Sequence, residues 1–333
     1  MYVISIFLKY LCAWLLMLAV LVWALFAEGL YSLVYGKNKR LSLLLAPLRA
    51  IISQARKPVI LPDTARFVPS LYGPALAFAA LLPICATIPF CTTMPILDNG
   101  GDLMQIFQFA LLSEVLGVSS VYSLGTISGD AAAEGFVRET LSVLAVLVAC
   151  FASLAGYFSA AGLSGDPFSL NTLAVGVRTL PVSWCVFAGI AIFIFLILAR
   201  TGIHDSELGC AIFEDGELVA YQGAPRAILY LWAIFKVFIL TALITHIFFP
   251  WELFRSAAST AAGGISWYMQ SLNFLVFWLA VVAVRVLLVP LCSKLFDKLC
   301  GLLPRGLGWL PLPLLAAAAM LLVIYGTSLI VLE

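Results

Sequence analysis

The chain has 333 residues, of which 63% are apolar and 11% are charged, and its formal net charge is +1. A soluble domain has about a quarter charged residues and about half apolar ones, so this composition excludes an ordinary soluble globular protein. The small net charge gives no indication of nucleic-acid binding.

Eight apolar runs follow one another along the chain, each of about the length that a helix needs to cross roughly 30 Å of hydrocarbon. The first run is far longer than the apolar core of a signal peptide, so we take it as a span. The predicted fold class is all-α, a polytopic transmembrane helix bundle forming a single domain over residues 1–333. The predicted spans are 10–35, 69–92, 103–125, 139–162, 179–200, 227–250, 269–293 and 309–331.

Two hydrophilic segments interrupt these runs, a basic and amphipathic one at 36–68 and an acidic one at 200–226. Within the first, residues 41–55 are apolar but too short to span a membrane. They predict a short amphipathic helix in the membrane interface, with Arg49, Ser53 and Gln54 turned toward water. A loose surface loop is the alternative.

Lysine and arginine are distributed unevenly between the two sides of the predicted bundle. The connections after odd-numbered spans share one side and carry Lys37, Lys39, Arg40, Arg49, Arg56, Lys57, Arg66, Arg138, Arg200, Arg226, Lys294, Lys298 and Arg305. The other side carries only Lys9, Arg178 and Arg255. Because loops rich in lysine and arginine stay in the cytoplasm, both hydrophilic segments are predicted to be cytoplasmic. Both termini then lie on the outer side of the cell inner membrane.

The eight cysteines are scattered, mostly within apolar runs, and form no C-x-x-C pair. This pattern gives no indication of a cluster or zinc site, and we expect buried, inert thiols. We therefore expect no metal and no cofactor in this chain.

Five ionisable residues stand inside the predicted spans: Glu28, Glu114, Glu139, Lys236 and Arg285. Charges at membrane depth are costly, so they usually face the bundle interior and mark an ion pathway or a paired site. For Lys236 the candidate partners are Glu114, Glu139 and the carboxylates of the acidic loop. Two structural alternatives stay open: the cations pair with carboxylates only to fix helix packing, and Glu28 is simply solvated.

The acidic segment concentrates five carboxylates between two spans: Asp205, Glu207, Glu214, Asp215 and Glu217. Carboxylates this close in sequence repel one another, titrate as a set, and in part retain protons near neutral pH. These are the properties of an antechamber for proton uptake. An ordinary solvated acidic loop is the alternative.

At this loop the chain resembles the subunit-one family of respiratory complex I and the membrane anchor subunits of group 4 energy-converting NiFe hydrogenases, including the formate hydrogenlyase and Ech-type branch. The run from Asp215 to Gly223 stands where that family has an acidic motif ending in Tyr-Ser-Gly, and Asp205 stands in place of a Pro-Phe-Asp aspartate. Further matches at family spacing are Lys236 before Pro250-Trp251, Arg285 before Phe296-Asp297, Gly101-Asp102-Leu103, Gly135 with Arg138-Glu139, and Leu44–Ile60 with Arg49 in register. The resemblance covers about 40–333.

The chain also departs from the family pattern. A basic Arg-x-Gly-Pro loop after the first span is missing. The family glutamate after the span-four arginine is replaced by Val146 or Leu147, and the one before Tyr-Ser-Gly by Ala220. The resemblance therefore implies either that Glu114 and Glu139 substitute for the missing carboxylates or that the chain couples weakly.

The resemblance implies a membrane anchor and proton- or sodium-translocating subunit, itself non-catalytic, in a NiFe-hydrogenase or complex-I-like oxidoreductase. The expected partners are a large subunit with the NiFe centre, an iron–sulfur small subunit, an antiporter-like membrane subunit and the lipid bilayer, with no nucleic acid. The expected proton-pathway residues are Glu114, Glu139, Asp205, Glu207, Glu214, Asp215, Glu217, Lys236, Arg285 and Asp297. The expected partner-interface residues are Lys37, Lys39, Arg40, Arg49, Arg138 and Tyr221. A secondary transporter and a purely structural anchor are the alternatives, although no inverted repeat supports the first.

Overall fold

The computed structural model describes residues 2–35, 41–88, 103–162, 166, 168–179, 184–200, 222–249, 267–302 and 311–332. Most of these residues lie in helices, which confirms the predicted all-α fold. Helices suit an apolar chain because they satisfy every backbone polar group within the segment, which a membrane interior requires.

Eleven α-helices are described, together with one 3₁₀ turn and one π-helical turn. They are α1 (Tyr2–Tyr35), the 3₁₀ turn (Leu41–Leu45), α2 (Ala46–Ala55), α3 (Phe67–Thr87), α4 (Leu103–Tyr122), α5 (Ile127–Ala160), α6 (Leu170–Thr179), α7 (Trp184–Arg200), α8 (Ala224–Phe248), α9 (Trp267–Ala283), the π turn (Val284–Leu288), α10 (Val289–Gly301) and α11 (Pro311–Leu332).

Seven of the described helical runs are long and apolar enough to cross a membrane, and each coincides with a predicted span. The predicted fifth span coincides with α7, which has 17 residues. At 1.5 Å per residue α7 is roughly 25 Å long, somewhat less than the hydrocarbon thickness. Residues 180–183, which the prediction included, lie outside the described part of the chain.

Several helix boundaries differ from the predicted ones. The fourth run, α5, begins at Ile127 rather than at residue 139, so Glu139 lies well inside the helix. Thr126 caps this start, since its hydroxyl accepts a hydrogen bond of 3.0 Å from the Gly129 N–H, and Asp130 in the first turn complements the helix dipole. The polar composition of 127–138 concealed this extension. The amphipathic helix α6 was also not predicted.

The seventh run does not end at residue 293 as predicted but continues to Gly301. Its backbone hydrogen bonding changes at the π turn, where the Val289 N–H donates to the Val284 carbonyl five residues earlier. Pro290 follows directly and has no N–H to donate, so the regular ladder is interrupted here whatever the neighbouring residues are. The buried Arg285 lies within this turn.

The short helix predicted over 41–55 is present as the 3₁₀ turn followed by α2. Arg49 and Ser53 are exposed as expected. The expectation for Gln54 is wrong: its side chain is only partly exposed and its Oε1 is buried. Around the axis of α2, Gln54 lies about half a turn from the centre of the exposed face, so its side chain is directed toward the protein.

The contacts group the described residues into two compact units. Unit one contains those within Met1–Ala86, Gln105–Ser142 and Thr201–Ile239, and unit two those within Thr87–Met104, Val143–Arg200 and Leu240–Glu333. In unit one, Phe235 of α8 packs on Phe78 of α3 with ring centroids 5.3 Å apart. In unit two, α7 packs along α11 and α10.

The helix α8 is the most enclosed of the seven candidate spans. Burial covers 72% of its span, against 22–50% in the other six. A helix that is apolar on every face belongs in the interior of a bundle, so α8 is the element on which a buried charge most needs a partner.

Candidate functional site

Lys236 lies near the middle of α8, between the buried residues Phe235 and Val237. Its side chain is 19% exposed, and its Nζ lies 3.1 Å from Oε1 of Glu114. An unpaired ammonium at this depth is strongly unfavourable, so the ion pair is what allows a lysine here. Glu114, one of the candidate partners, therefore pairs with Lys236; the side chain of Glu139 and the acidic loop lie outside the described part of the structure.

Glu114 lies in α4, and its two carboxylate oxygens have different partners. Oε1 faces Lys236, and Oε2 accepts a hydrogen bond of 3.1 Å from the hydroxyl of Thr140. Thr140 belongs to α5 and directly follows Glu139, whose side chain lies outside the described part of the structure. Side chains of α4, α5 and α8 therefore meet at one carboxylate within unit one.

Trp232, one turn before Lys236, contacts the ammonium group of the ion pair with its indole ring. The ammonium lies 5.0 Å from the indole centroid, within the range of a cation–π interaction. The indole N–H donates to Oγ of Ser113 at 2.7 Å, and the Ser113 hydroxyl donates to the Ala77 carbonyl of α3 at 2.7 Å. This chain of hydrogen bonds fixes the indole ring and the segment of α4 that carries Glu114.

Gly117, one turn after Ser113 on α4, provides the space for the indole ring. A Cβ at this position would lie 2.8 Å from two ring carbons of Trp232. Neither Trp232 nor Gly117 was a predicted site residue. The sequence gives little indication of either residue, because tryptophan and glycine are common in membrane spans. They belong to the site only because they pack against each other.

Glu28 of α1 forms a second buried acidic position in unit one. It is 2% exposed, so the alternative that it is solvated is wrong. Its carboxylate lies within electrostatic range of Tyr230 on α8. Arg226, 5% exposed, lies one turn before Tyr230 on the same helix. The sequence indicated Glu28 as a charge in an apolar run but gave no sign that it is near Tyr230.

In unit two, Arg285 is 2% exposed in the π turn, whereas Asp297 lies on an exposed face of α10. Twelve residues of one continuous helical run separate them, a rise of roughly 18 Å. These two predicted pathway residues therefore belong to different positions along the run rather than to one site.

Several predicted residues lie outside the described part of the structure, so their placement stays a prediction. These are Asp205, Glu207, Glu214, Asp215, Glu217, Lys37, Lys39, Arg40 and Tyr221, together with the side chains of Glu139 and Arg138. Arg49 is described and exposed on α2.

The two hydrophilic segments meet at their ends. The Gln222 N–H donates to the Ile60 carbonyl at 3.2 Å in an isolated antiparallel bridge. The next residue, Gly223, has a φ of 90° and lies so close to Val59 that a Cβ would be 2.9 Å from the Val59 Cα. A residue with a side chain is disfavoured here both by conformation and by space. The end of segment 200–226 is thus attached to segment 36–68.

Cys85 and Cys150 are buried, and Cys185, Cys292 and Cys300 are partly buried; all five are free thiols. Among the described residues, no group of three or more His, Cys, Asp and Glu side chains is arranged to hold a metal ion.

Comparison with known proteins gives a match at the level of structure. No family model matches the sequence, and no curated protein matches it either. The structure is similar to a chain of the membrane-bound sulfane sulfur reductase, an archaeal respiratory membrane complex, with a TM-score of 0.67 and 14% sequence identity. The match covers 97% of this chain and 99% of the other. At this identity the likeness shows a common fold over nearly the whole length of both chains.

Proposed function

We propose that this chain is the membrane anchor and the proton- or sodium-translocating subunit of a redox complex of the NiFe-hydrogenase or complex-I-like kind. Electron transfer takes place in partner subunits that carry the iron–sulfur clusters and the NiFe centre, and this chain couples it to ion movement. The fold shared with a chain of an archaeal respiratory membrane complex supports the proposal.

The observation that carries the proposal is the Glu114–Lys236 ion pair. Both groups stand in helices long and apolar enough to span a membrane, where an ionisable residue is retained only if something compensates for its cost. The side chains are 9% and 19% exposed, so solvent screens the attraction between the two charges only weakly.

The arrangement supports a simple step. A proton that reaches Glu114 neutralises the carboxylate and removes the charge that holds the Lys236 ammonium. The Lys236 ammonium, having lost this counter-charge, then moves away from Glu114. Thr140 holds the carboxylate in place through the exchange, and the Trp232 ring offers the ammonium a second favourable contact.

The peripheral redox subunits attach, in this proposal, to the hydrophilic segments 36–68 and 200–226. The bridge between Ile60 and Gln222 brings the end of the second segment next to the first, which is consistent with a shared attachment site. The acidic residues of the second segment would supply protons to the pathway, and Lys37, Lys39 and Arg40 of the first would contact the partner.

A purely structural anchor is the second candidate, and one observation favours it. Both oxygens of Glu114 are engaged, one by Lys236 and one by Thr140, as in a pair that fixes helix packing. Experiments on coupling must therefore separate assembly from ion movement.

The first test is isolation of the complex through a tag on this chain, from its native membrane, in mild detergent. The proposal predicts that an iron–sulfur subunit and a large catalytic subunit co-purify, and that the complex in sealed vesicles takes up or extrudes ions when given an electron donor and acceptor. A chain that purifies alone from that membrane, stable and monodisperse, would contradict it.

A further inference from the structure

We propose that the outer face of α2 binds the headgroups of anionic phospholipids. We define this α2 face by Leu45, Leu48, Arg49, Ile52 and Arg56. The inference goes beyond the proposed function and does not depend on it, since a subunit of any membrane complex can hold lipid.

The geometry of the face comes from helical spacing. Leu45, Leu48 and Ile52 are separated by three and four residues, so they form one stripe, and they are 49%, 39% and 41% exposed. Arg49 lies one turn after Leu45, and Arg56 lies one turn after Ile52, at the C-terminal cap of the helix. Both arginines are exposed. Apolar and cationic side chains thus share one outward surface.

The opposite side of the segment is fixed to the protein. Pro47 is buried, and the 3₁₀ turn packs so closely on α1 that a Cβ on Gly29 would overlap the Leu44 carbonyl oxygen. The segment therefore cannot rotate to bury Leu45, Leu48 and Ile52 without losing this contact. The α2 face is held outward by the fold.

Charge indicates what covers this face. Residues 29–62 contain six lysines and arginines and no aspartate or glutamate. Arg49, Arg56 and Lys57 form no ion pair with a described residue. A suitable occupant must supply negative charge beside an apolar surface. An anionic phospholipid has both, because its phosphate lies directly above its acyl chains.

The position of α2 favours lipid over a protein partner. The membrane-crossing helix α1 ends at Tyr35, and the next one, α3, begins at Phe67. The segment between them starts and ends at the same membrane surface, and it is attached to α1 at Gly29, within the candidate span. The α2 face consequently lies at the level of the headgroups. This assigns Arg49 to lipid rather than to the redox subunits.

The test is a lipid titration of the full-length purified chain in detergent. Dioleoylphosphatidylglycerol and dioleoylphosphatidylcholine are added separately, and the bound lipid is counted by native mass spectrometry. The wild-type chain should prefer phosphatidylglycerol. Since each cation near the surface contributes about a fivefold preference, Arg49→Gln should lower that preference about fivefold, and Arg49→Gln with Arg56→Gln by about twenty-five-fold.

The matched control is Arg49→Lys with Arg56→Lys, which keeps both charges and should keep most of the preference. Equal binding of the two lipids by the wild type, or an unchanged preference in the double glutamine variant, would overturn the inference. So would equal losses in the lysine and glutamine variants, because charge would then not be the property recognised. The same glutamine variant is also isolated through a tag from its native membrane: an unchanged lipid preference together with loss of co-purifying subunits would show that the face is a protein interface and that the inference is wrong.

Discussion

The ion pair with Glu114 and the contact with the Trp232 ring hold Lys236 with different strengths. Removing one partner of a buried ion pair typically costs about 3–5 kcal/mol, because the other charge is left buried. A cation–π contact such as that with Trp232 contributes about 0.5–2 kcal/mol. The ion pair with Glu114 therefore dominates, and removing either charge alone should be worse for stability than removing both.

The close packing of Gly117 against the Trp232 ring predicts how a substitution at Gly117 changes the stability of the chain. Gly117→Ala should lower the thermal midpoint of the solubilised chain, because the new methyl group overlaps the Trp232 ring and overpacking costs about 1–3 kcal/mol. Gly156→Ala on α5 is the control, since a Cβ there meets nothing within 4 Å. It should raise stability by about 0.5–1 kcal/mol, as expected for removing a glycine from a helix interior. Equal shifts in fluorescence-detected unfolding would contradict this packing.

For single residues, the sequence identifies the ionisable groups within apolar runs but not the side chains that contact them. Glu114 and Lys236 stand out because ionisable residues are rare in apolar runs. Thr140, Ser113 and Trp232 do not stand out, since hydroxyl and aromatic residues occur in many spans without a common site. Their roles depend on which helices lie side by side, and hydrophobic runs carry no information on that.

At the scale of elements, apolar runs locate helices but not their ends. A run ends where polar residues begin, whereas a helix ends where its backbone bonding ends. The helix α5 therefore begins at Ile127, at a Thr126 cap that a search for capping residues would have found. The run after α9 continues through the π turn to Gly301, past the polar residues at which the apolar run ends.

The acidic segment 200–226 is predicted to matter for coupling or for subunit attachment rather than for folding. Asp215→Asn with Glu217→Gln should leave membrane insertion intact, because a substitution in a hydrophilic connection away from the core has little effect on folding. It should impair redox-driven ion movement or the attachment of the redox subunits. The measurement is ion uptake by sealed vesicles together with the subunit composition. Unchanged uptake and composition would show that the segment is an ordinary solvated loop.

For the whole molecule, a fold is shared with a chain of a respiratory membrane complex at 14% identity. Many sequences satisfy the same constraint, which is an apolar helix wherever the backbone crosses lipid, so the architecture tolerates extensive substitution. The function depends on far fewer residues. Val146 and Leu147 are 3% and 1% exposed and belong to the core. The pathway proposed above depends on a different buried residue, Glu114, which pairs with Lys236.

Redox-driven ion movement by the complex carrying Lys236→Met measures whether Lys236 takes part in coupling. Lys298→Met, the same change at an exposed lysine, is the matched control. If Lys236 carries the coupling step, the Lys236→Met complex assembles and reduces an artificial acceptor but moves no ions, and adding Glu114→Gln improves its assembly without restoring ion movement. The Lys298→Met complex should behave as wild type. Ion movement at the wild-type rate in the Lys236→Met complex would show that Lys236 has no part in coupling.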